Sequence, residues 1–247
     1  MDTDAVLTLI QEVAEAVVNP RFRALVEGQV VEKNPGDLVT VADREAEVLL
    51  TRALLAANPD AVVLGEEAHA AEPALLERYA AAEHAFTVDP VDGTRNFVHG
   101  SPDHAVMVAE RRGHEVVRSW IWQPQHQRAY VSELGAGAYR DGERLQRSPV
   151  QDGTSARGLT SYRPWIGARL GALPPLGLTW VCCGVDYPKL VEGEADYILY
   201  RGRKPWDHAP GALLLAEAGA VLRTFTGERY DPRGIPDAAL LAAADPR

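Results

Sequence analysis

Sulfur is scarce in this sequence: its 247 residues include two cysteines and two methionines. The cysteines are neighbours, Cys182 and Cys183. Adjacent cysteines rarely bridge each other, so no disulfide framework is expected. Basic residues are also short. Lys and Arg number 25 against 35 Asp and Glu, a formal net charge of −10. That balance argues against nucleic acid and against an anionic membrane surface as partners. A phosphorylated metabolite stays open, because bound divalent cations reverse the local field. No apolar run reaches membrane-spanning length, and the N-terminal residues lack the basic-then-apolar pattern of a signal peptide. The expectation is a cytoplasmic protein. His99, His104, His114 and His126 show no metal-ligand spacing and read as structural or surface residues.

What is present is enough apolar material for a sizeable core. Hydrophobic residues make up 46% of the chain, which at this length suits one large domain or two small ones. The polar stretch Ser148-Pro149-Val150-Gln151-Asp152-Gly153-Thr154-Ser155 separates two patterns. We therefore expect an N-terminal α+β half over 1–150 and a C-terminal α/β half over 151–247. Helical spacing is expected over 4–18 and to about Ala57 from Asp43, and an exposed helix over 73–82. Between them Asn34-Pro35-Gly36-Asp37 signals a turn. Residues 104–109, 114–122, 127–132 and 136–139 alternate like strands of an antiparallel meander. Trp120, Trp122 and Tyr130 read as core or sheet-face aromatics there. The second half predicts strands at 156–160, 177–181, 195–200, 220–225 and 238–243, and helices at 164–170, 186–192 and 207–218.

The most informative stretch is Val88-Asp89-Pro90-Val91-Asp92-Gly93-Thr94-Arg95-Asn96-Phe97. Phe86, Thr87 and Val88 predict a strand that ends at a carboxylate. Pro90 removes a backbone donor. Gly93 allows a sharp turn, and Thr94 is suited to start a short helix. Two carboxylates, a carbonyl between them and a helix start suit a hard cation beside a phosphate. The plain alternative is a surface Asx turn before a helix. Other acids recur at the ends of elements. Asp43 and Glu47 share a helix face. Glu66 and Glu67 follow the apolar run ending at Leu64. Asp207 opens the helix that follows Pro205-Trp206. Each has a plain reading as a helix-start acid or cap.

Four segments together carry a resemblance. They are Asp37-Leu38-Val39-Thr40-Val41-Ala42-Asp43; Gly65-Glu66-Glu67; Asp89 through Phe97; and Trp206-Asp207-His208-Ala209-Pro210-Gly211 with Glu217-Ala218-Gly219. In this order they resemble the inositol monophosphatase family of magnesium-dependent, lithium-sensitive phosphatases. The resemblance implies a layered αβαβα sandwich of the inositol monophosphatase and fructose-1,6-bisphosphatase type, and a homodimer. It implies two or three Mg²⁺ per site, with Mn²⁺ as a substitute. Glu66, Asp89 and the Val91 carbonyl would hold the first metal. Asp89, Asp92 and Asp207 would hold the second, and Glu66 would reach a third through water. Asp43 and Thr94, with Glu66, would orient and deprotonate the attacking water. Contacts to a small phosphorylated metabolite would come from Asp92, Gly93, Thr94, Cys183, Gly184, Tyr200 and Asp207. Tyr200 stands where inositol-type enzymes carry a Glu that touches ring hydroxyls. Inositol 1-phosphate is the leading substrate, with histidinol phosphate, a sugar bisphosphate or a 3′-phosphorylated nucleotide as alternatives. The alternative of another class is a non-catalytic relative that binds metal or phosphate. Arg201, Arg203 and Lys204 are candidates for a second anion, for a dimer contact, or for a solvated loop. Cys182 and Cys183 read as small buried hydrophobes.

Overall fold

In the computed structural model, residues 1–34, 37–150, 155–235 and 238–245 are described. The turn at Pro35-Gly36 and residues 151–154 of the expected link lie outside them. Apolar alternation builds the larger sheet. Its seven strands are β3 (Val62–Gly65), β4 (His84–Asp92), β5 (Ala105–Arg112), β6 (Glu115–Gln123), β7 (Arg128–Glu133), β8 (Gly137–Arg140) and β9 (Glu143–Leu145), hydrogen-bonded in that order. β3 and β4 run parallel and every later pair is antiparallel, which is the expected meander. A preceding two-stranded hairpin pairs β1 (Val30–Asn34) with β2 (Asp37–Thr40).

Side-chain period two sends each strand's residues to opposite faces. On β5, Val106 and Val108 join Trp120, Trp122, Phe86 and Val88 beneath α1 (Thr3–Val13) and α2 (Val41–Ala57). Ala105, Met107 and Ala109 face the other way, onto α6 (Cys183–Val191) and α7 (Pro205–Ala218). Beyond those helices lies the second sheet. It contains β10 (Gly158–Thr160), β11 (Gly177–Leu178), β12 (Tyr197–Tyr200), β13 (Val221–Thr224) and β14 (Leu240–Ala243), in the order β11-β10-β12-β14-β13. The layers are thus helix, sheet, helix, sheet, as expected. The outermost layer is thin. Instead of a helix over 164–170, only one 3₁₀ turn forms, Arg163–Trp165. Gly167 and Gly171, both at positive φ, break the helical pattern. The first helix also changes pitch earlier than its apolar spacing implies. A π turn spans Ala14–Val18 and a 3₁₀ turn Asn19–Arg21. Pro20 has no N–H to continue the ladder.

α7 is buried on nearly every side, including Pro205, Trp206, Ala209, Gly211 and Leu213. A helix sandwiched between two sheets has no solvent face to keep polar. Its neighbour α6 comes close because Gly211 has no side chain. A Cβ there would lie 2.1 Å from Cδ2 of Tyr187. His208 sits in this layer with both ring nitrogens used. The Tyr187 hydroxyl lies 2.7 Å from Nδ1, and Nε2 lies 2.9 Å from the Gly202 carbonyl. The Gly202 carbonyl takes an Nε2–H, and burial keeps the ring neutral by holding its pKa down to about 4. His104 is structural as expected, packed 5.0 Å from Phe22 and 5.0 Å from Phe97 by ring centroids.

Intrinsic propensity and packing disagree about Gly211. Alanine is the better helix former by about 1 kcal/mol, whereas forcing a methyl into a filled interface costs about 1–3 kcal/mol. We expect packing to win: Gly211→Ala should lower the urea midpoint. An equal or higher midpoint would show that α6 and α7 do not approach this closely.

Candidate active site

β4 does not stop at Asp89. It runs to Asp92, with an irregularity in its middle. Asp89 pairs with Met107 while Asp92 pairs with Ala105, so one strand spends an extra residue. That bulge decides the site. In a regular strand, residues three apart face opposite sides. The extra residue at Pro90-Val91 turns both carboxylates to one face. Phe86 and Val88 point into the α1–α2 layer, so Asp89 points toward α7. Asp207 lies in the first turn of α7 and meets it. Carboxylate oxygens of Asp89, Asp92 and Asp207 lie within 4.8 Å of one another.

Asp92 is held by the second half of the chain. Its Oδ2 accepts the Gly184 amide at 2.5 Å and the Cys182 thiol at 2.9 Å. Cys182 is buried as expected but is more than a small hydrophobe. Burial beside Asp92 pushes its pKa up, so the thiol keeps its proton and donates it. The preceding Val181 carries φ 60°, a left-handed conformation that is costly for a β-branched residue. Asn96 completes the clamp by donating to the carbonyls of Asp103 and Trp180, at 2.8 and 2.9 Å. Gly93 turns the chain with φ 79° into α5 (Thr94–Val98).

Asp43 reaches the same crevice from α2. Its Oδ2 accepts from the backbone amide and hydroxyl of Thr40, forming a capping box at the helix start. Its Oδ1 lies 3.1 Å from Thr94 Oγ1, which also lies 3.0 Å from the Val91 carbonyl. Asp43 is therefore both a helix-start acid and the partner of Thr94. Burial raises its pKa to about 6.

Glu66 opens α3 (Glu66–Ala71) at the end of β3. It lies outside the tight group of three. The Lys33 ammonium from β1 contacts Glu66 Oε1 at 2.9 Å and Glu67 Oε1 at 2.7 Å. A cleft of about 600 Å³ lies between Glu66 and Asp207, lined also by Lys33, His69, Lys204 and Trp206. Of the three basic residues singled out in the sequence, Lys204 lines this cleft. Arg201 instead stacks on Tyr162 at 4.7 Å and donates to its hydroxyl. Cys183 is partly exposed and Gly184 is buried against Asp92.

Of the substrate contacts expected from the sequence, Asp207 lines this cleft, whereas Tyr200 is turned into the core. It is 1% exposed, with its ring 5.4 Å from Tyr187 and 5.1 Å from His208. Ile198 and Tyr200 share the face of β12 that packs on α6 and α7, which draws the ring into the core. Sequence reasoning missed Lys33 and His69, whose positions depend on the hairpin and α3 folding over the crevice. Glu47 was visible only as a face-mate of Asp43.

The electrostatics ask for cations. Burial, followed by repulsion from Glu66, Asp92 and Asp207, raises the Asp89 pKa well above the usual carboxylate range. Burial also raises Asp92, against the thiol and amide bonds that favour its charge. Glu66 is pushed to about 7 by burial, against the pull of Lys33. An all-oxygen set of buried and half-buried carboxylates plus a backbone carbonyl matches a hard divalent ion. The residues therefore fit the magnesium that the resemblance implies. Among the described residues, no helix is long and apolar enough to cross a membrane.

Comparison with known proteins agrees with the fold. The model of the inositol monophosphatase family matches residues 2–247. An inositol-1-monophosphatase of Rhizobium meliloti is 32% identical over 77% of this chain and 73% of its own length. The Nus factor SuhB of Pseudomonas aeruginosa is 30% identical over 80% of this chain and 76% of its own length. The solved structure of an IMPase from Thermotoga maritima superposes with a TM-score of 0.81 at 23% identity. It covers 98% of this chain and 91% of that one. This chain belongs to the inositol monophosphatase family, a family of phosphoric monoester hydrolases.

Proposed function

We propose that this chain hydrolyses a small phosphoric monoester with water as the nucleophile. Inositol 1-phosphate is the leading substrate. One observation carries the reading. The bulge in β4 gathers Asp89 and Asp92 with Asp207, and the Asp43–Thr94 couple stands beside the carbonyl of Val91. Asp89, Val91, Asp92 and Asp207, with Glu66, would hold two or three Mg²⁺. Bound magnesium would supply a water of lowered pKa and neutralise the leaving oxygen.

The remaining work falls to the chain. Thr94 accepts the proton of the attacking water as its own passes to Asp43 Oδ1. The hydroxyl alone is a poor base, and an Asp43 pKa of about 6 is near a working value for a general base. The amides of Gly93 and Thr94 at the start of α5 face the phosphate. Cys183, Gly184 and the outer edges of Asp92 and Asp207 border the alcohol. Lys33 and Lys204 give the cleft positive edges. Tyr200, turned into the core, is not part of this proposed contact set. The non-catalytic reading has support in the names of relatives called Nus factors. It would require this complete acid set to serve binding alone.

Phosphate release should be measured with inositol 1-phosphate, histidinol phosphate, fructose 1,6-bisphosphate and adenosine 3′,5′-bisphosphate. We expect turnover with Mg²⁺ and none with chelator. No release from any of the four, with metal binding intact, would favour the non-catalytic reading. Asp89→Asn removes the charge shared by both metal positions and should abolish turnover while leaving the fold's circular dichroism unchanged. Near-normal turnover would sink the ligand assignment. Metal requires ionised carboxylates, and the proposed ligand Glu66, near 7, holds its proton below that value. Metal binding at pH 6.5 should therefore release protons, and affinity should fall as pH drops from 7 to 5. Calorimetry in two buffers of different ionisation enthalpy reads this directly, and zero release would contradict it. Lithium should inhibit by competing at the position beside Asp92 and Asp207. Full activity at tens of millimolar, a level chosen only as roughly that needed to compete at a weak site, would argue against that position.

A further inference from the structure

α3 is a weak element to carry a metal ligand. It has six residues, none of them buried, and no side chain of its own cap residue bonds its amides. Helices this short are unstable alone, and the first-turn N–H groups have no partner within the helix. The missing partner comes from α2. Glu47 is 5% exposed and aims its carboxylate at the helix start. Its Oε2 accepts the Glu67 amide at 2.7 Å, and its Oε1 accepts the Ala68 amide at 2.7 Å. Both oxygens are thus used, each on one amide. The backbone makes room for this contact. A Cβ on Gly65 would lie 2.2 Å from Glu47 Cδ, so only glycine admits the carboxylate here.

We infer that Glu47 is a positioning residue that sets the place of Glu66 and through it the enzyme's metal affinity. This rests on the proposed role of Glu66 as a ligand. Asp43 and Glu47 stand four residues apart on one buried face of α2. One rigid helix therefore fixes both halves of the chemistry. Asp43 holds Thr94, and one turn later Glu47 holds the backbone that presents Glu66. Lys33 holds Glu66 only through side chains, from the hairpin. Without Glu47, α3 would pivot at Gly65 and Glu66 would lose its bearing on Asp89. Groups that orient a ligand, rather than bind the ion, typically change metal affinity about 10–100-fold when replaced.

The test is Mn²⁺ binding by calorimetry for the parent, Glu66→Gln, Glu47→Gln and Glu47→Asp, with thermal midpoints measured without metal. Gln keeps the size of Glu47 but turns a donor toward one amide. Asp keeps the charge but falls short of both amides. We expect each Glu47 variant to raise the Mn²⁺ dissociation constant about tenfold or more. Each should raise the Mg²⁺ concentration for half-maximal turnover in parallel, and kcat at saturating Mg²⁺ should fall much less. A lowered thermal midpoint with unchanged Mn²⁺ affinity in both variants would mean a structural cap only and overturn the inference. If Glu66→Gln weakens binding and the Glu47 variants do not, this inference fails alone. If the parent binds no Mn²⁺, it fails together with the metal reading.

Discussion

Like charges gathered in a poorly solvated crevice are the constraint on which this molecule turns. Asp89, Asp92 and Asp207 bring carboxylate oxygens within 4.8 Å of one another. At an effective dielectric of about 20, one fully ionised pair at such a distance repels by on the order of 3 kcal/mol. A chain left to its own preferences would spread such groups into water. Here they are held together by elements that gain their stability elsewhere. The Phe86–Val88 side of β4 is anchored under α1 and α2. α7 is anchored between two sheets by Trp206, Leu213, Leu214 and Leu215. Core burial holds the acids in place, and their crowding there raises the Asp89 pKa well above the usual carboxylate range.

The supports around that cluster use backbone as much as side chains. The α6 start draws the charge of Asp92 onto the Gly184 amide and the Cys182 thiol, both of which meet its Oδ2. The α2 start folds Asp43 onto Thr40 while leaving Oδ1 for Thr94. Glu47 does the same service for α3. Lys33 is the cation at Glu66 and Glu67, from a hairpin that contributes no strand to either large sheet. A site built this way depends on both halves of the chain, because Asp92 from the first half is bonded by Cys182 and Gly184 from the second.

The central layer shows why the two sheets serve one site. α7 packs on both, so its first turn emerges at the end of β4 and carries Asp207 there. Close approach through Gly211 and the saturated His208–Tyr187 pair fix the rotation of α7 about its axis. That rotation decides where Asp207 points. The same packing draws Tyr200 inward, against Tyr187 and His208.

Much of this was legible in residue order. Period-two alternation marked the meander, and apolar spacing marked α2 and α7, because local periodicity reports which face will be buried. Acids at the ends of apolar runs marked Asp43, Glu66, Asp89, Asp92 and Asp207, because a helix or strand end is where a carboxylate can be both held and reached. Tertiary structure decided the rest. The bulge that brings Asp89 and Asp92 to one face depends on pairing with β5, a partner over ten residues away in sequence. The bonds from Cys182, Gly184 and Glu47 join segments that no local pattern relates. Whether Tyr200 met substrate or core depended on which face of β12 covered α6 and α7. Sequence periodicity says that a strand has two faces; only packing against a particular neighbour says which one holds the site.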